Sequence, residues 1–165
     1  MPRPLPVVLA LGLLALPLPL MADTLSGSVD GAAQEWHLLP VDGRPSGGWS
    51  DFGGITQVEI FGFPRADSTS DVTGALEISL TLMGNSAAGV SVVYYGGGVS
   101  GLYTIHDEDE IRVSLSEVRV EGETLHLSGT VETEVFRMAS IVSEELDPDD
   151  SHAVSASFDL ALPQR

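Results

Sequence analysis

The sequence contains no lysine and no cysteine. Without lysine there is no Schiff-base chemistry, no pyridoxal linkage and no P-loop. Without cysteine there are no disulfides, no thiol nucleophile, no thiolate metal site and no lipidated cysteine behind a leader. Positive charge is scarce altogether. Seven arginines face 24 acidic residues, a net charge of −17 with histidine neutral. Phosphate backbones need a cationic surface, which counts against nucleic acid as a partner. Arginine to the exclusion of lysine fits a GC-rich bacterial genome.

What is present begins with an export signature. Arg3 and the amino terminus supply positive charge, and residues 5–20 follow with no charge, mostly Leu, Val, Ala and Pro. A membrane-spanning helix needs ~20 apolar residues, and Pro17 and Pro19 would break one here. Residues 1–22 therefore read as a signal peptide, with Ala22 before the cut, and residues 23–165 as one mature domain. That domain keeps six arginines against all 24 acids, a charge of −18, and contains no transmembrane segment. Its length allows about two-thirds of the unfolded surface to be buried, so one substantial core is expected. The destination implied is the periplasm or the medium.

The mature chain alternates apolar and polar residues. Leu76, Ile78, Leu80 and Leu82 alternate with Glu77, Ser79 and Thr81, which puts four aliphatic side chains on one face of a strand. Val154, Ala156, Phe158, Leu160 and Leu162 repeat the pattern near the C-terminus. Ile111, Val113 and Leu115 alternate until the phase slips before Val118 and Val120, so a bulge is expected at Ser116-Glu117. Glu121-Gly122-Glu123 then turns the chain into a returning strand carrying Leu125, Leu127, Gly129, Val131 and Val135. Weaker strands are expected at 25–29, 34–39, 55–63, 90–95 and 99–105. In 55–63, Val58 and Ile60 lie on one side and Phe61 and Phe63 on the other. Residues 139–146 extend a hairpin arm towards a turn at Asp147-Pro148, and 40–54 and 64–73 read as long loops. The fold class expected is all-β: an antiparallel β-sandwich of eight or nine strands, with a small barrel as the alternative.

Candidate chemistry is sparse. His37, His106, His126 and His152 lie far apart in sequence, so no local zinc-ligand pair exists. No Gly-x-Ser-x-Gly elbow marks a nucleophile, and Gly96-Gly97-Gly98 joins strands instead of opening a phosphate-binding helix. The loop around Trp49, Asp51 and Phe52 sets two aromatics among four glycines beside a carboxylate, the kind of platform on which sugars or peptides stack. The competing reading makes Trp49 a plug for one end of the core. In the acidic run 107–110, Asp107 and Asp109 could converge on Ca²⁺, an ion that takes oxygen ligands. The run lacks EF-hand spacing, and a solvated charge run accounts for it better. No other cofactor is implied.

Three function classes remain. The first is a non-enzymatic exported domain with a binding or structural role, its partner a protein or a glycan. Next comes a glycan- or peptide-recognition module, calcium-assisted in one form. The last is a small hydrolase using two of the many carboxylates. The first requires nothing that the sequence lacks. Export is directly testable: protein recovered from the periplasm of a Gram-negative host should have an intact mass corresponding to a start near Asp23. A start at Met1 would contradict the signal reading.

Overall fold

A computed structural model describes residues 23–106, 110–140 and 145–165. Residues 1–22, expected to be a signal peptide, and the acids Asp107 and Asp109 lie outside the described residues. The chain forms β1 (Thr24–Val29), β2 (Ala32–Trp36), β3 (Pro40–Val41), β4 (Arg44–Pro45), β5 (Gly47–Phe52), β6 (Ile55–Gly62) and β7 (Leu76–Met83). It continues through β8 (Ser86–Tyr94), a 3-10 turn (Gly98–Ser100), β9 (Tyr103–Thr104), β10 (Arg112–Glu121), β11 (Thr124–Ser140) and β12 (Glu145–Pro163). The described residues contain no α-helix.

Ten of these strands belong to one antiparallel sheet, ordered β2-β1-β12-β11-β9-β8-β7-β6-β5, with β10 on the free side of β11. β3 and β4 make a separate small hairpin. The sheet curls into a half-barrel. Here the structure departs from the expected division into two hydrogen-bonded sheets. Alternation dictates only that one face is buried, and the far side of the same sheet can cover it as well as a second sheet can. β11 makes the continuity possible. Its first half pairs with β10 and its second half, at Phe136 and Arg137, pairs with β9, while β12 runs along its other side.

The curl brings distant strands together at two isolated bridges, His37 with Phe63 and Trp49 with Gln164. His37 donates its amide to the Phe63 carbonyl at 2.8 Å and accepts from the Phe63 amide at 2.9 Å. The Arg165 amide donates to the Trp49 carbonyl at 2.8 Å. Inside lies a continuous core that includes Leu25, Trp36, Trp49, Val58, Ile60, Ile78, Leu80, Leu127, Phe158 and Leu162.

Local details follow from the same packing. The bulge falls between Leu115 and Glu117, leaving Ser116 without a partner in the ladder. It lets Val113 and Val118, which differ in parity, both pack against the core. The expected 40–54 loop is instead the β3–β4 hairpin, strand β5 and a turn. Its glycines serve two ends: a Cβ on Gly47 would come within 2.7 Å of Leu38 and 2.8 Å of Leu162, whereas Gly53 and Gly54 supply the positive φ of the turn. Asp147-Pro148 is no turn either. It lies within β12, where the pairing skips from Asp147 to Ser151 against Arg137 and Phe136. β1 pairs with β12 only from Val154 to Asp159, so the amide missing from Pro148 deprives no second neighbour.

The register makes a sharp prediction at adjacent positions. Leu80 is buried, whereas Thr81 is half-buried on the outer face, its hydroxyl donating to Gln57 at 3.2 Å. Leu80→Asp should abolish cooperative folding, because an unpaired buried carboxylate costs as much as a typical domain has to lose. Thr81→Asp should remain folded with a modest loss. Equal damage in urea melts would show the register to be wrong.

Candidate functional site

Among the described residues, those nominated by the sequence do not assemble into one surface. Trp49 and Phe52 are three positions apart on β5 and so face opposite ways. Trp49 is only 5% exposed, and its indole donates to the Glu123 carbonyl at 3.3 Å. It takes the inward, plugging position. Phe52 is 68% exposed beside the β5–β6 turn, where Asp51 accepts from the Gly54 amide at 3.4 Å. A two-ring stacking platform is therefore not formed. Among the described residues no group of three or more His, Asp or Glu side chains could hold a metal ion. The histidines stay separate: His37 lies 4.0 Å from Glu35, His126 lies 3.4 Å from Glu121, and His152 pairs with Asp30 at 2.6 Å. The His152 contact holds the Asp30 carboxyl below its ordinary range, helped by the Ala153 amide.

A groove of about 750 Å³ lies elsewhere, on the outer side of the sheet. The β3–β4 hairpin, turned by Asp42-Gly43 in the left-handed region (φ 51° and 77°), contributes Val41, Arg44 and Pro45. Phe61 and Phe63 come from the end of β6 and the residue beyond it. Thr69 and Val72 come from the following loop, and the chain end from Pro163 to Arg165 completes the lining. The position of the phenylalanines follows from parity. Val58 and Ile60 point into the core, so Phe61 and Phe63 must emerge on the opposite face. Their rings meet edge-on with centroids 4.9 Å apart, and Phe61 meets Tyr95 at 5.3 Å. The Phe63 ring is nonetheless buried.

The charged groups that line this groove, Arg44 and Arg165, are of one sign. Neither Asp nor Glu lines it, in a chain with 24 acids. Arg165 pairs with Glu59 and donates to the Pro45 carbonyl at 3.4 Å. Arg44 makes no ion pair among the described residues. Ser46, 8% exposed, also lines the groove, and its hydroxyl has no hydrogen-bond partner. Such an apolar lining with a few polar groups is how small-molecule sites are commonly built. Sequence reasoning missed this site because its parts come from residues 41–46, 61–72 and 163–165. The one available signal was the pair Phe61 and Phe63 on the face opposite the core.

A second concavity, of about 580 Å³, separates β8 from β10. β8 joins β9 only at Val93 and Tyr94, and β10 pairs only with β11, so the edges of these two strands face each other across a gap. Ala87, Val90, Ile111, Val113 and Leu115 pack against the core beside it.

Comparison with protein-family models, curated proteins and solved structures returns no significant match to this chain.

Tyr95, beneath Phe61, donates to Glu77 at 2.9 Å. Burial first, and then the Glu77 carboxylate, push its hydroxyl up to about 12. An unfolded tyrosine ionises near ~10. Stability from this group is thus complete below pH ~10 and is lost as pH rises towards 12, because only the unfolded chain sheds the proton in that window. Tyr95→Phe should remove the latest-ionising phenol from an ultraviolet titration and flatten the decline in melting temperature above pH ~10. An unchanged titration curve would disprove the assignment.

Proposed function

We propose that this chain is an exported, non-enzymatic binding protein of the periplasm or the medium, and that it holds a small ligand with an apolar body in the groove over Phe61 and Phe63. The observation that carries the reading is the groove itself. Its aromatic and aliphatic lining lies on the outside of the sheet, apart from the main core cluster, with Phe61 and Val72 only partly covered. The volume falls in the range of ordinary ligand sites, ~300–1,000 Å³. Export rests on the leader-like residues 1–22, and the non-enzymatic character on a composition without lysine or cysteine and without a marked nucleophile. In packing terms we read β5–β8 and β1–β12–β11 as two leaves facing one another in sandwich fashion, joined through β9. The outer surface of one leaf is then free to bind.

The groove takes over the role that the sequence suggested for the Trp49 loop. A neutral, environment-sensitive dye such as N-phenylnaphthylamine tests the exchange. It should bind at one saturable site. Truncating a ring that buries the dye removes ~1.5–3 kcal/mol of apolar contact, so Phe61→Ala should weaken binding about tenfold or more. Phe52→Ala should leave it unchanged. Binding insensitive to Phe61→Ala, in protein shown by circular dichroism to be folded, would contradict the proposal.

A further inference from the structure

We infer that the groove selects amphiphiles bearing one anionic head, a fatty carboxylate being the simplest, and that Arg44 receives the head. This inference rests on the reading of the groove as a ligand site. Four of the six arginines beyond residue 22 sit within 4.0 Å of a carboxylate: Arg65 with Asp67, Arg119 with Glu117, Arg137 with Asp150, and Arg165 with Glu59. With 24 acids present, such pairing is the default. Arg44 and Arg112 are the exceptions among the described residues, and only Arg44 lines the groove. The hairpin holds it at an apolar lip with no acidic side chain in the lining. A guanidinium left without a carboxylate partner in so acidic a chain is open to an oxyanion from outside, which it can grip with two parallel N–H donors.

Ser46 is the independent observation. A buried hydroxyl without a partner is costly, and Ser46 lies two residues from Arg44 in the same lining. A ligand oxygen would satisfy it. Phe61, Phe63, Val72 and Pro163 then offer contact to an alkyl body. A free amphiphile fits better than a bilayer headgroup, because a net charge of −17 repels the protein from an anionic membrane.

The test is displacement of N-phenylnaphthylamine from the mature protein by dodecanoate, by dodecanol and by inorganic phosphate. We expect dodecanoate, below its micellar concentration, to displace the dye at least tenfold more effectively than dodecanol, and phosphate not to displace it. Arg44→Gln should abolish that preference by weakening dodecanoate about tenfold, with dodecanol unchanged; Arg44→Lys should restore part of it. Arg44 is exposed, so both variants should melt as the wild type does. Equal displacement by dodecanoate and dodecanol would overturn the head-group inference while leaving the groove reading intact. Failure of the dye itself to bind would overturn both. Displacement by phosphate alone, or binding to anionic phospholipid vesicles in place of monomeric dodecanoate, would also overturn the inference.

Discussion

The apolar face shared by Leu25, Val58, Ile78, Leu127, Phe158 and Leu162 has to be covered. Among the described residues there is no α-helix and no second large sheet to cover it. The sheet therefore covers the face with its own far side, and much else in the structure follows from that requirement. β11 must be long enough to serve β10 at one end and β9 at the other. Gly47 must have no side chain, because Leu38 and Leu162 occupy the space where one would be. Gly129 is constrained in the same way, since a Cβ there would lie 2.5 Å from the Ser114 carbonyl oxygen and 3.1 Å from both Leu115 and Phe158. These are close approaches of backbone to neighbours, which glycine alone permits without local displacement.

The groove is a by-product of the same closure. Where the curl draws His37 to Phe63 and Trp49 to Gln164, the β3–β4 hairpin and the chain end come to flank the outer face of β6. Phe61 and Phe63 thereby sit in a recess instead of on an open surface. The short hairpin also determines which charge reaches that recess. Its turn is Asp42-Gly43, and it carries Arg44 on the returning side. The acidic character of the rest of the chain makes this local reversal of sign conspicuous, since the charged residues that line the recess, Arg44 and Arg165, are both basic. A diffuse negative field acts on any anion at a distance, but contact with a guanidinium at an apolar lip is shorter-ranged and less screened by water.

The parts of this molecule that could be read from the sequence are those governed by neighbours in the chain. β7 and the inward residues of β12 announce themselves by parity, and the slip before Val118 locates the bulge at Leu115 and Glu117. A glycine-rich segment suits both a plug and a platform, and the usual burial of tryptophan tips the reading of Trp49 towards the plug. In the fold Trp49 is buried, its indole bonded to the Glu123 carbonyl and its own carbonyl to the Arg165 amide, partners distant in sequence. A single curled sheet and two packed sheets give the same alternation, so the choice between them lay with the pairing of β9 and β10 along β11. Strand 99–105 shrank to Tyr103–Thr104 because Gly98–Ser100 closes a 3-10 turn ahead of it. The groove left only the parity of Phe61 and Phe63 as a trace, for its other walls meet through tertiary structure. Asp107 and Asp109 fall outside the described residues, and their chemistry stays where the sequence left it.

Closure of the curled sheet is the central claim, and backbone amide exchange followed by NMR addresses it directly. The amides of His37, Phe63 and Arg165 belong to no regular ladder; their hydrogen bonds are those made where distant strands meet. If the sheet closes as described, these three amides should exchange slowly, on the scale of the β1–β12 ladder, and cross-strand contacts should connect His37 with Phe63. Fast exchange at all three positions, with the β1–β12 and β6–β7 ladders still protected, would mean that the sheet stays open and that the groove beside the seam does not exist.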